Sequence, residues 1–186
     1  DGVIWTLDDI WARTKVIGTV NSDVLNGTDF IDNIYGGDGA DTISAGKNDD
    51  LLVGGKGGDI LDGGAGNDRF EWSTGDGNDV LSDTGTTMSE VDTLVLNGMA
   101  SSAATLTKSG TDLLIAVGGE TITVKNRFNS NGDGRGVELI AFADGVTMEV
   151  LANPVGIIST TGWGAGDTLN GWAFSDIISG NGGADV

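Results

Sequence analysis

Between residues 18 and 82 the apolar and polar positions recur with a period that belongs neither to an amphipathic helix nor to an ordinary strand. Leu25, Ile34, Ile43, Leu52, Leu61 and Phe70 stand nine residues apart. Each lies two residues after an aspartate: Asp23, Asp32, Asp41, Asp50, Asp59 and Asp68. Glycine pairs fall in one register between them, Gly36-Gly37, Gly54-Gly55 and Gly63-Gly64, with Gly39, Gly57 and Gly66 two residues further on. A short fixed period marks a solenoid, in which each unit buries its apolar side only against its neighbours. Side chains alternate faces along a strand, so a three-residue strand centred on the Leu/Ile/Phe position points that residue inward. The other six residues must turn, and a tight turn needs glycine wherever φ is positive or two backbones approach closely. Two units make one coil of 18 residues, which puts Asp23, Asp41 and Asp59 along one edge and Asp32, Asp50 and Asp68 along the other.

Past residue 82 the pattern changes. GDGNDVLS (75–82) first repeats the motif after a two-residue slip at Trp72 and Ser73, bringing Asp79 into the series. Strand-like runs follow at 91–97, 111–117, 120–126 and 137–143, separated by turn signals such as Gly118-Gly119 and Asp144-Gly145. They predict an antiparallel β flank over 83–153 that caps the open end of the solenoid. NSNGDGRGVE (129–138) has alternating Asn129, Asn131 and Asp133, but Ile140 stands where a calcium-binding helix–loop–helix needs Glu, so a hairpin loop is the better reading. At the start, Thr6 before Leu7, Ile10 and Trp11 predicts a short capped helix ending near Thr14. DGVIWTLDDI at 1–10 returns as DGVTMEVLAN at 144–153, and Asp167, Asp176 and Asp185 resume the nine-residue spacing. Residues 1–17 therefore read as the tail of a preceding cap, and 154–186 as the start of a second solenoid block in a longer tandem array.

Charge turns this architecture into chemistry. Nine basic residues stand against 28 acidic ones, a net charge of −19, which disfavours nucleic acid and anionic membrane surfaces as partners. The 33 glycines accompany a single proline, Pro154, and the absence of Cys and His removes disulfides, zinc fingers and imidazole or thiol catalysis. No apolar run approaches the roughly 18 residues of a membrane-spanning helix. Stacked carboxylates about 4.8 Å apart repel one another unless cations lie between them. Loop carbonyls would complete an all-oxygen shell, which suits Ca²⁺ better than the rigid octahedron of Mg²⁺.

GGDGADTIS (36–44), GGKGGDILD (54–62) and GGAGNDRFE (63–71) resemble the GGxGxDxUx nonapeptides of the repeats-in-toxin, or haemolysin-type, calcium-binding family. The resemblance covers residues 18–82 and implies a parallel β-roll, several bound Ca²⁺ ions and export by type I secretion. It implies calcium ligands in Gly36, Gly37, Gly39 and Asp41; in Gly54, Gly55, Gly57 and Asp59; and in Gly63, Gly64, Gly66 and Asp68. In AGKNDDLLV (45–53) the corresponding residues are Gly46, Asn48 and Asp50, with Asn48 replacing a glycine. Unit 27–35 has Phe30 at that position, so Asp32 has the weakest loop. Calcium is expected first between Asp41 and Asp59 and between Asp50 and Asp68. The Asp23/Asp41 pair comes next, Asp32/Asp50 last, and Asp79 extends the first edge.

Three function classes compete. No nucleophile elbow, zinc-protease or P-loop motif is present, and every candidate carboxylate belongs to a periodic loop, so the segment reads as non-catalytic. Trp5, Trp11, Trp72, Trp163 and Trp172 could stack on sugars in an adhesion module, but they form no periodic row and read as core or cap packing. The expectation is a calcium-binding structural module of a secreted or surface protein, with calcium ions and neighbouring units of the array as partners. An adhesin's carbohydrate-binding module and an accessory module of an exported hydrolase are the alternatives.

Overall fold

In the computed structural model, residues 15–85, 90–128, 136–150 and 157–159 are described. The helix expected before Thr14, the loop at 129–135 and Asp167, Asp176 and Asp185 lie outside them. Two sheets face each other. Strands β1 (Lys15–Ile17), β3 (Asn33–Asp38), β5 (Leu51–Lys56), β7 (Arg69–Ser73) and β9 (Thr93–Asn97) run side by side in one. Strands β2 (Val24–Asn26), β4 (Thr42–Lys47), β6 (Ile60–Ala65) and β8 (Val80–Ser82) do so in the other. Consecutive strands thus alternate between sheets, and every pairing within this set is parallel. Asn33 stands opposite Leu51, and Thr42 opposite Ile60, so one coil takes the 18 residues of two nonapeptides.

The centre residue of each strand points into the space between the sheets. Ile34, Ile43, Leu52, Leu61, Phe70, Leu81 and Leu94 are buried, each side chain contributing about 1.5–3 kcal/mol relative to exposure. Strands β3 to β6 are six residues long rather than three, because the ladder continues into the glycines: Gly37 pairs with Gly55, and Gly46 with Gly64. With no Cβ between them, two positive-φ backbones can stay in hydrogen-bonding register. Trp72 is buried at 2 % exposure and its indole N–H donates to the Gly77 carbonyl at 3.2 Å, which is core packing rather than an exposed sugar platform.

The flank carries the antiparallel strands expected of it, but it is joined to the roll by parallel pairs. Strand β12 (Glu120–Val124) joins β8 in parallel, and β13 (Leu139–Phe142) joins β9 in parallel, so both sheets of the solenoid simply continue. Direction reverses only beyond that point. Strands β10 (Thr105–Ser109) and β11 (Asp112–Val117) pair antiparallel with each other, and β11 with β12, through a turn in which Gly118 and Gly119 have φ of 64° and 90°. The second reversal, at Asp144-Gly145, leads into β14 (Thr147–Val150), against which β15 (Ile157–Ser159) lies antiparallel. Parallel pairing persists as long as the coil does, and reverses where a two-residue turn replaces it. Among the described residues no helix is long and apolar enough to cross a membrane.

Candidate metal-binding loops along the two edges

The glycine requirement is steric as well as conformational. Gly55 has φ of 93°, and a Cβ there would meet the Gly37 carbonyl oxygen of the coil below at 2.1 Å. Gly57, at φ of 155°, would bring a Cβ within 1.6 Å of the Gly39 carbonyl. These contacts stack the loops so tightly that carbonyl oxygens of Gly37, Gly39 and their equivalents line the space between coils. Asn48 takes the left-handed conformation in place of glycine at φ of 69°, as Asn tolerates best, and its amide donates to the Asp29 carbonyl at 2.8 Å.

Each aspartate ties its loop to the coil below. Asp41 Oδ1 accepts the Asp23 N–H at 2.8 Å, Asp59 Oδ1 the Asp41 N–H at 2.8 Å, and Asp79 Oδ1 the Asp59 N–H at 2.9 Å. On the other edge Asp50 Oδ1 accepts from Asp32 at 2.7 Å and Asp68 Oδ1 from Asp50 at 2.9 Å. That second ladder goes further than the nonapeptides. Asp92 Oδ1 accepts the Asp68 N–H at 2.7 Å, and Glu138 Oε2 accepts the Asp92 N–H at 2.8 Å. Their signal was in the sequence without its spacing: Asp92 precedes Leu94 by two residues and Glu138 precedes Ile140 by two, as in every nonapeptide.

The second carboxylate oxygen divides the ladder into two kinds of loop. Asp23 Oδ2 accepts from the Thr19 N–H at 2.6 Å and the Thr19 hydroxyl at 2.8 Å. Asp32 Oδ2 does the same with Thr28 at 2.6 and 2.8 Å. The Oδ2 atoms of Asp41, Asp50, Asp59, Asp68 and Asp92 are buried and have no hydrogen-bond partner. In the all-glycine loops these atoms lie over the first glycine: a Cβ on Gly36, Gly54 or Gly63 would stand 2.4, 2.3 or 2.3 Å from Oδ2 of Asp41, Asp59 or Asp68. Burial, reinforced by neighbouring carboxylates and opposed by the ladder hydrogen bonds, pushes Asp59 and Asp68 up to about 6 and Asp50 and Asp79 up to about 7. A buried, unpaired acceptor costs about 1–3 kcal/mol, and more when charged. Among the described residues no three acidic or other metal-ligating side chains converge on one point, so a cation on these edges would need backbone carbonyls to complete its shell.

A parallel two-sheet roll whose edges are ladders of half-satisfied carboxylates belongs to the class of β-rolls. Comparison with known families makes the class specific. The RTX calcium-binding nonapeptide repeat matches residues 17–52, 44–71 and 163–186, and the haemolysin-type calcium binding protein related domain matches 112–150. The chain carries RTX calcium-binding nonapeptide repeats followed by a flank of the haemolysin-type related kind. Both are calcium-binding families, which implies Ca²⁺ as the cofactor, and the repeats are typical of non-catalytic modules of secreted proteins. Among solved structures, the extracellular lipase LipA from Serratia marcescens matches at 15 % identity with a TM-score of 0.25, over 91 % of this chain. The chain spans only 25 % of that lipase's length. No curated protein sequence matches.

Proposed function

We propose that this chain is a calcium-binding structural module of a secreted or surface-exposed protein, and that it folds when calcium enters the stacked loops. The observation that carries the reading is the row of buried Oδ2 atoms at Asp41, Asp50, Asp59 and Asp68 that the protein leaves without a donor. Carbonyls of Gly37, Gly39, Gly55, Gly57, Gly64 and Gly66, with those of Gly46 and Asn48 in the exceptional loop, supply the remaining oxygens. The Asp41/Asp59 and Asp50/Asp68 pairs are the principal sites. Asp23 and Asp32 contribute less, since Thr19 and Thr28 already occupy their second oxygens.

Calcium binds only the folded form, so its concentration sets the folding equilibrium by mass action. Where calcium is scarce the carboxylates repel and the chain stays extended; at extracellular concentrations the roll closes. Residues 18–82 form the calcium-binding unit and 83–153 its cap, and the recurrence of the 1–10 sequence at 144–153 supports a tandem arrangement with neighbouring units. The adhesion reading loses Trp72, which is buried.

Asp59→Ala tests the ligand assignment against a simple charge effect. If repulsion alone limited folding, removing a carboxylate would favour the roll in any buffer. As a ligand change it raises the calcium concentration at the folding midpoint, because ligand charge sets affinity. Asp144→Ala removes equal charge from a flank turn and leaves that midpoint nearly unmoved. Equal midpoints for the two variants would defeat the assignment.

A further inference from the structure

Two asparagine–glycine pairs lie among the described residues, and the fold treats them oppositely. Asn26-Gly27 stands at the end of β2 and Asn97-Gly98 at the end of β9. Asparagine followed by glycine is a chemically labile pair. The glycine backbone nitrogen can attack the asparagine side-chain carbonyl, because glycine has no side chain to obstruct the approach and rotates freely. Both asparagines are exposed, so access to water does not separate the two pairs.

At the first pair the neighbouring coil holds the attacking nitrogen. The Gly27 N–H donates to the Ser44 carbonyl at 2.8 Å, and a Cβ on Gly27 would stand 2.1 Å from the Ala45 carbonyl oxygen. That nitrogen cannot turn toward Asn26 without leaving the ladder that joins β2 to β4. The second pair is free of such restraint. Asn97 and Gly98 are the central residues of a turn in which the Met99 N–H donates to the Leu96 carbonyl at 3.4 Å. Gly98 is exposed with φ of 72°, and nothing lies within 4 Å of where its Cβ would stand. Among the described residues no acceptor takes its N–H. Asn97 Nδ2 donates to Glu71 Oε2 over a long 3.3 Å, and Glu71 is itself paired with Arg69 at 2.8 Å.

We propose that Asn97-Gly98 is a site of spontaneous deamidation in the folded chain, and that the roll protects Asn26-Gly27 from the same reaction. The Gly98 nitrogen bonds to Asn97 Cγ, the Cγ–Nδ2 bond breaks, and the amide leaves as ammonia with the proton that the Gly98 nitrogen gives up. Water then opens the resulting succinimide at either carbonyl, leaving an aspartate or an isoaspartate in place of Asn97. The product sets a carboxylate beside Glu71 where a donor stood, and like charges on neighbouring strands repel. Isoaspartate also lengthens the main chain by a methylene. Both changes fall at the end of β9, the strand that joins β7 of the roll to β13 of the flank.

Peptide mass spectrometry of the full chain, aged in calcium at mildly alkaline pH, measures both sites in one sample. The Asn97 peptide should gain the deamidation mass roughly ten times faster than the Asn26 peptide, the factor that one retained backbone hydrogen bond imposes on a step that must break it. Labelling by an isoaspartyl methyltransferase should mark the same peptide. In urea, where the contacts of Gly27 are lost, the two rates should converge. Asn97→Gln should abolish the fast reaction and leave the Asn26 rate as it was. Equal rates in the folded chain, a faster reaction at Asn26, or a difference that persists unchanged in urea would overturn the proposal.

Discussion

Loops 18–23 and 36–41 sit one coil apart on the same edge and end in the same residue, yet they satisfy it differently. In the first, Thr19 turns its N–H and hydroxyl onto Asp23 Oδ2, and Thr28 repeats the arrangement for Asp32 on the other edge. In the second, Gly37 has φ of 111°, its backbone joins the ladder with Gly55, and Asp41 Oδ2 is left buried without a donor. A single side chain at the second position of the loop thus decides whether the Oδ2 oxygen is satisfied from within or left open. The roll is threonine-capped in its first coil, and the coils that follow leave the corresponding oxygen without a donor. The flank offers a third solution, a buried guanidinium, where Arg127 meets Glu138 at 2.6 Å at the far end of the second ladder.

The largest effect is expected where completion from within is broken in the buried flank. Arg127→Ala strips Glu138 of its partner, and loss of one member of a buried pair costs about 3–5 kcal/mol. Chemical denaturation in saturating calcium should register that loss, because no added ion replaces the guanidinium. Next comes Asp68→Ala, which removes a ligand and a ladder acceptor together. Its calcium midpoint should rise roughly tenfold, equivalent to about 1.4 kcal/mol, while Thr28→Val should leave the midpoint almost where it was. The threonine variant acts on the calcium-free side of the comparison. It removes one hydrogen bond to a carboxylate, worth about 1.5–3 kcal/mol when the acceptor is charged, and the partly exposed site puts the loss at the lower end. Residual structure in chelator should fall for Thr28→Val and stay unchanged for Asp68→Ala.

The smallest and most gradual effect is that of pH on the calcium-free chain. Asp50, Asp59, Asp68 and Asp79 have folded-state values raised by burial to between about 6 and about 7, above the ordinary carboxylate value. The folded state therefore holds protons that the unfolded state has released. Any residual stability in chelator should be greatest near pH 4 and be lost as pH rises through 6 to 7. A stability that increased with pH in chelator would mean these carboxylates are not buried as ions without partners.

Much of this architecture was legible in the sequence because its period is set by covalent geometry. Nine-residue spacing is what a three-residue strand and a six-residue turn require, so Ile34, Leu52 and Phe70 announced one inward column and Asp41 and Asp59 one edge. The turns at Gly118-Gly119 and Asp144-Gly145 were readable for the same local reason. What escaped depended on contacts that spacing does not encode. Asp92 and Glu138 continue the second ladder across excursions of different length, and only the aspartate or glutamate two residues before an apolar centre betrays them. The parallel docking of β12 and β13 follows from continuation of the coil, whereas alternation alone is equally compatible with antiparallel strands. The threonine caps pair a side chain with a carboxylate four residues later, a local pattern that the glycine spacing does not encode.

We propose that calcium holds the roll beyond its first coil. A Ca²⁺ titration of the full chain, starting in chelator and followed by far-UV circular dichroism, tests it most directly. A cooperative gain of β signal is expected as calcium rises, reversed when chelator is restored, with magnesium at the same concentration unable to produce it. A full β signal in chelator that calcium leaves unchanged would contradict it.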